Sequence, residues 1–160
     1  MEFSYILEPL DGSNMSIQRC YWSAIAYQET GACLYLNKAE SVSFLKYYLA
    51  PCVTNLAFSC ELFLKILRYL DSKEGCRGHD LCDIFQMLCA EKRKQIEQRF
   101  EAYVKSVSVE DCLKMHAKVF EKFRYMHERK AESYTVNCDT LYYLSLSLME
   151  VCGLYFEMDG

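Results

Sequence analysis

The sequence has no glycine-rich phosphate loop, no serine nucleophile elbow and no His-Glu pair of the metalloprotease kind. P-loop phosphotransfer, α/β-hydrolase and zinc-protease chemistries therefore have no foothold in it. Apolar/polar alternation never persists beyond a few residues, which argues against strands, and there is no internal repeat or low-complexity tract. Prolines number two, Pro9 and Pro51. No apolar stretch reaches the roughly twenty residues that a bilayer requires. The longest candidate, 141–156, is interrupted by Ser145, Ser147 and Glu150 and is expected to be a buried helix with no membrane contact. No basic segment followed by an apolar run and a cleavage site opens the chain, so a cytoplasmic, reducing setting is expected for its ten cysteines. Most of these, including Cys20, Cys60, Cys89, Cys112 and Cys152, fall among apolar residues at helical spacing, where cysteine packs as a small hydrophobe.

What is present fits one domain: 160 residues can bury a real core. The net charge of -4 is unevenly spread. Residues 91–130 hold eleven Lys or Arg against seven Asp or Glu, whereas 131–160 hold five acids and no Lys or Arg. A phosphate-facing patch is thus confined to the third quarter of the chain.

The clearest helical signal runs from Pro51 to Leu70, where Leu56, Cys60, Phe63, Leu67 and Leu70 recur at steps of three and four. Pro51 suits a first turn, Asp71 to Gly75 form a polar break, and Glu61 and Lys65 stand four apart in the favourable acid-then-base order. Residues 1–12 read as an irregular lead-in. Ser13 or Asn14 can cap a helix from Met15 to about Leu36 that bends or ends near Gly31, and a separate short element is expected between Asn37 and Ala50. Asp80 is placed to cap a following helix that buries Leu81, Ile84, Phe85 and Leu88 and continues from Glu91 to Val104, with Ile96 and Phe100 inward and Lys92 outward. Ser108, with Asp111 three residues on, starts another helix expected to run through His116 and Phe120 to Arg124. A polar turn around Ser133 to Asp139 precedes a last helix from Thr140 to about Phe156. The expected fold is all-α, an antiparallel up-and-down bundle of four to five long helices plus short ones.

Glu61-Leu-Phe-Leu-Lys65 on a buried helix, a short loop, then Arg77-Gly-His-Asp-Leu81 opening another helix, is an order that resembles the HEPN family, small helical nucleotide-binding domains. The resemblance covers Tyr21 to the C-terminus and implies the same helical architecture. It also implies an RNA- or nucleotide-linked role of the toxin–antitoxin or phage-defence type, a homodimer, and a nucleotidyltransferase as partner. Nucleolytic members carry an Arg, four to six residues, then a His; here two residues separate Arg124 from His127, and reading Lys122 as the cation restores a gap of four. Arg124-Tyr125 matches non-nucleolytic members as well, so a binding or regulatory module without efficient catalysis is expected. The alternatives are an endoribonuclease using Arg124 and His127 across the dimer without metal, and a purely structural dimerisation domain.

At Arg124 and His127 an imidazole could move protons while a guanidinium neutralises phosphate; equally, Arg124 could pair with Glu61 or Asp80. The polar centre is expected to comprise Glu61, Lys65, His79, Asp80, Arg124 and Tyr125. Cys76, His79 and Cys82, with Cys89, have a spacing foreign to recognised zinc modules, so no metal or other cofactor is expected. The favoured reading of the same segment is a turn in which Gly78 adopts an unusual backbone angle, Asp80 caps and His79 hydrogen-bonds a neighbouring helix. Lys92, Arg93, Lys94, Arg99, Lys122, Arg129 and Lys130 could form a nucleic-acid surface, although the interleaved Glu91, Glu97 and Glu101 also suit a solvated face.

Overall fold

The computed structural model describes residues 14–37, 47–125 and 135–156. They form α1 (Asn14–Leu36), α2 (Leu49–Ser72), α3 (Leu81–Gln86), α4 (Ala90–Tyr103), α5 (Val109–His116), α6 (Val119–Arg124) and α7 (Cys138–Phe156), with no strand among them. The fold is all-α. The lead-in expected over 1–12 lies outside the described residues.

The strong periodicity of α2 makes it the element against which α1, α3, α6 and α7 pack. Leu56, Cys60, Phe63, Leu64 and Leu67 are all fully enclosed, each apolar side chain contributing about 1.5–3 kcal/mol relative to exposure. α2 is also the helix among the described residues that is long and apolar enough, by composition, to cross a bilayer; here its apolar residues lie in the core that α1 to α7 share. It begins at Leu49, so the expected boundary at Pro51 is two residues too late. Pro51 sits inside the first turn, where its missing N–H leaves no helical bond unmade. At the other end Lys73 adopts a left-handed conformation (φ 60°) and donates its N–H to Tyr69 O at 2.8 Å.

α1 runs unbroken through Gly31 instead of ending there. The glycine serves a close approach: a Cβ at this position would stand 2.7 Å from Leu56 Cγ and 3.0 Å from the Leu56 backbone nitrogen. Two further helices expected to be continuous are broken by tertiary hydrogen bonds. Between α3 and α4, Cys89 N–H donates to Asp71 Oδ2 at 2.9 Å, which turns the chain onto the end of α2. Between α5 and α6, Ala117 O accepts from Leu81 N–H at 3.0 Å, tying the start of α3 to the start of α6.

The local caps follow the sequence. Asp80 accepts from Cys82 N–H (3.0 Å) and Asp83 N–H (3.3 Å), Gly78 takes φ +99°, and Ser108 accepts from Asp111 N–H at 3.1 Å. All ten cysteines are free thiols. Cys52, Cys60, Cys112 and Cys152 are buried, and burial pushes the Cys112 thiol up to about 12 and those of Cys60 and Cys152 well above their ordinary value. At Cys60, Cys112 and Cys152 burial thus favours the thiol over the nucleophilic thiolate. Cys89, expected among the packed ones, is exposed at the N-cap of α4.

Candidate functional site

Two ion-pair clusters flank α2, and they differ in kind. At its C-terminal end Lys92 of α4 points inward, contrary to its expected place on a nucleic-acid surface. Its Nζ donates to Asp71 Oδ1 at 2.6 Å and to Leu67 O at 3.1 Å, and lies 4.7 Å from the centroid of the Tyr155 ring. Lys92 is 4% exposed. Burial alone would raise the Asp71 carboxyl, but its bonds from Lys92 and from Cys89 N–H outweigh this and hold it below its ordinary value.

Midway along α2, Glu61 is 1% exposed. Its Oε1 accepts from Lys65 Nζ at 2.7 Å and from His79 Nδ1 at 2.9 Å. Because a carboxylate oxygen accepts, the imidazole meets it through an Nδ1–H. The His79 side chain is 47% exposed, whereas Glu61 Oε2 is buried without a hydrogen-bond partner. Gly78 and the Asp80 cap fix the loop that delivers His79 here.

Arg124 lies at the end of α6. Its guanidinium is 5.7 Å from the Phe120 ring centroid and 5.2 Å from that of Tyr125, and it pairs with neither Glu61 nor Asp80. Phe120 stacks on Phe58 of α2 (4.6 Å, 14°), and Phe58 meets the edge of Tyr27 from α1 (4.6 Å, 73°). These side chains, with Thr54 and Asn55, line an open groove of about 350 Å³. A cation that meets aromatic faces, and no carboxylate among the described residues, is equipped to meet an anion carrying a flat ring.

No family model, curated protein or solved structure matches this chain.

The expected polar centre therefore resolves into two neighbouring parts. Glu61, Lys65 and His79 come together as one cluster, while Asp80 is occupied as a cap. Arg124 and Tyr125 form the second part, linked to the first through Phe120, whose ring centroid is 6.2 Å from that of His79. α6 ends at Arg124, and His127, Arg129 and Lys130 lie outside the described residues. The basic stripe on α4 is discontinuous: Lys92 is buried, Arg93 donates to Gln86 Oε1 at 3.0 Å, and Arg99 stands 3.8 Å from Glu150 Oε2. Lys94 remains exposed and Lys122 is partly buried. Among the described residues no group of three or more His, Cys, Asp or Glu is arranged to hold a metal ion. Sequence reasoning missed Tyr27, Thr54, Asn55, Phe58 and Phe120, because three separate helices contribute them and no local spacing announces the groove.

Proposed function

We propose that the chain is a HEPN-like module, an antiparallel up-and-down bundle, that binds RNA or a nucleotide through the Arg124 groove. The observation that carries this reading is a guanidinium resting on Phe120 and Tyr125, with no carboxylate partner among the described residues, beside the Phe58–Tyr27 aromatic wall. Arginine matches phosphate geometry and aromatic faces accept bases of any identity, at about 1–3 kcal/mol per stacked base. A volume near 350 Å³ is that of a small-ligand pocket. The resemblance adds the setting: a cytoplasmic homodimer in a toxin–antitoxin or phage-defence unit, with a nucleotidyltransferase as partner.

Fluorescence anisotropy with labelled single-stranded RNA and with mononucleotides, at low and moderate salt, tests the reading. Binding is expected to weaken as salt rises and to fall about tenfold in Arg124→Ala, the loss of one charge-assisted contact. Wild-type protein that binds neither ligand at low salt would leave only the structural-dimerisation alternative.

A further inference from the structure

We propose that Asn55 makes the Arg124 groove selective for adenine, reading the N6 and N7 edge of the base while Arg124 holds its phosphate. The proposal rests on the nucleotide-binding reading and names the base that this same site takes.

Asn55 sits where a stacked base would show its edge. On α2 it precedes Phe58 by three positions and Thr54 precedes Phe58 by four, so both polar residues share the helical face that carries the aromatic wall. All three line the groove together with Tyr27, Phe120 and Arg124. Phe58 is stacked on Phe120 at 4.6 Å and meets Tyr27 edge-on, which leaves at least one face of the Tyr27 ring uncovered by it. Tyr27 is 39% exposed, so that face can take a base.

The amide has one orientation that its neighbour allows. Asn55 Nδ2 donates to Pro51 O at 2.7 Å. A carbonyl oxygen only accepts, so turning the amide over would set Oδ1 against that oxygen, two acceptors with no proton between them. The Pro51 bond therefore locks the side chain. One Nδ2 hydrogen is spent on it, and the other, like Oδ1, has no partner among the described residues. Thr54 is unspent as well. Thr30, Ser59, Ser72, Ser145 and Ser147 return their hydroxyls to carbonyls of their own helices, whereas the Thr54 hydroxyl makes no hydrogen bond among the described residues. Stacking is blind to the identity of a base. An oriented amide at the rim of a stacking groove is not.

The unspent atoms are one acceptor and one donor on the same amide, and adenine sets an amine at N6 beside the N7 acceptor. Oδ1 accepts from N6–H, and the remaining Nδ2–H donates to N7. Guanine and hypoxanthine carry an oxygen at position 6, which would face Oδ1 with no hydrogen to share. Cytosine and uracil have no N7 and offer Tyr27 a smaller ring. Arg124, at the end of α6, supplies the charge that the phosphate of the same nucleotide requires.

Calorimetric titration of the full chain with AMP, IMP, UMP and 7-deaza-AMP at low salt tests the proposal on the wild-type protein. AMP is expected to bind at least about tenfold tighter than IMP, the scale of one bidentate pair, and about fivefold tighter than 7-deaza-AMP, which lacks a single acceptor. In Asn55→Leu the affinity for AMP should fall to that for IMP, while IMP itself moves by no more than about twofold. A thermal melt checks that the variant folds, and the comparison of nucleotides on the wild type decides the matter if it does not. Oligoadenylate and oligouridylate strands run alongside distinguish the sources of the base: preference for the adenylate strand over AMP names single-stranded RNA, and selectivity confined to the mononucleotides names a free nucleotide, each in support. Equal affinity for AMP, IMP and UMP overturns the proposal and leaves the groove as a base-blind nucleotide site. Selectivity for AMP that persists in folded Asn55→Leu also overturns it, whereas the absence of binding by every nucleotide and strand removes the nucleotide-binding reading with it.

Discussion

Two lysine–carboxylate pairs touch the same helix, and only one of them is closed. In the Lys92–Asp71 pair the ammonium is spent on a carboxylate and a backbone carbonyl, the second carboxylate oxygen receives a backbone N–H, and an aromatic ring covers the cation. In the Lys65–Glu61 pair both donors converge on one oxygen, the other is orphaned, and a half-exposed imidazole is attached. A satisfied ionic group inside a fold is architecture. An incompletely satisfied one that reaches the surface is where binding or chemistry is worth testing.

The largest effect should come from opening the closed pair. Lys92→Ala removes the partner of a carboxylate whose side chain is 15% exposed, together with the anchor on Leu67 O and the packing against Tyr155. A loss of about 3 kcal/mol is expected, the low end for breaking a buried pair because Asp71 retains some water. Urea denaturation should show it as a lower midpoint at unchanged slope. A change within about 0.5 kcal/mol would mean that Lys92 is a surface residue after all.

Lys92 also shows why the sequence was read correctly in some places and not in others. Lys92, Ile96 and Phe100 are spaced by four, so all three lie on one helical face, and the two apolar residues already marked that face as inward. The spacing points Lys92 inward, whereas its charge alone points it outward. The caps at Asp80 and Ser108 were legible because they are set by a side chain and the backbone within three residues. The breaks at Cys89 and Ala117 were not, because their causes, Asp71 and Leu81, lie 18 and 36 positions away in the chain. The Arg124 groove is illegible for the same reason: Tyr27, Phe58 and Phe120 meet only once α1, α2 and α6 have packed.

A smaller loss is expected on the side of α2 that faces α1. Gly31→Ala brings a methyl group within 3.0 Å of the Leu56 backbone nitrogen, which cannot rotate away as the Leu56 side chain can. Separating the helices to admit it should cost about 2 kcal/mol, the usual scale of overpacking. Unchanged stability in the same urea titration would show that this interface is slack.

The histidines extend the contrast to pH. His116 is fully buried and its Nδ1–H donates to Cys112 O at 2.8 Å. Burial, only partly offset by hydrogen bonds with the backbone of Cys112 and Asn137, lowers its pKa from 6.5. The unfolded chain therefore binds the proton more readily, and stability present above pH 6.5 declines as pH falls through and below that value. Urea midpoints measured between pH 7.5 and 5 should fall, and His116→Gln should flatten that slope even though it lowers stability throughout. An unaltered slope in the variant would assign the effect to another group.

The smallest effect should come from the open cluster itself. His79→Ala removes a half-exposed ring on a loop whose course is already set by Gly78, the Asp80 cap and the Leu81–Ala117 bond. Glu61 keeps its bond from Lys65, so its charge is not stranded. Stability should change by no more than about 0.5 kcal/mol, as at surface sites free of such features. That near-silence is the sharpest test of the contrast between the pairs. If His79→Ala cost as much as Lys92→Ala, the imidazole would be holding the fold together, and the distinction between a closed structural pair and an open working one would disappear.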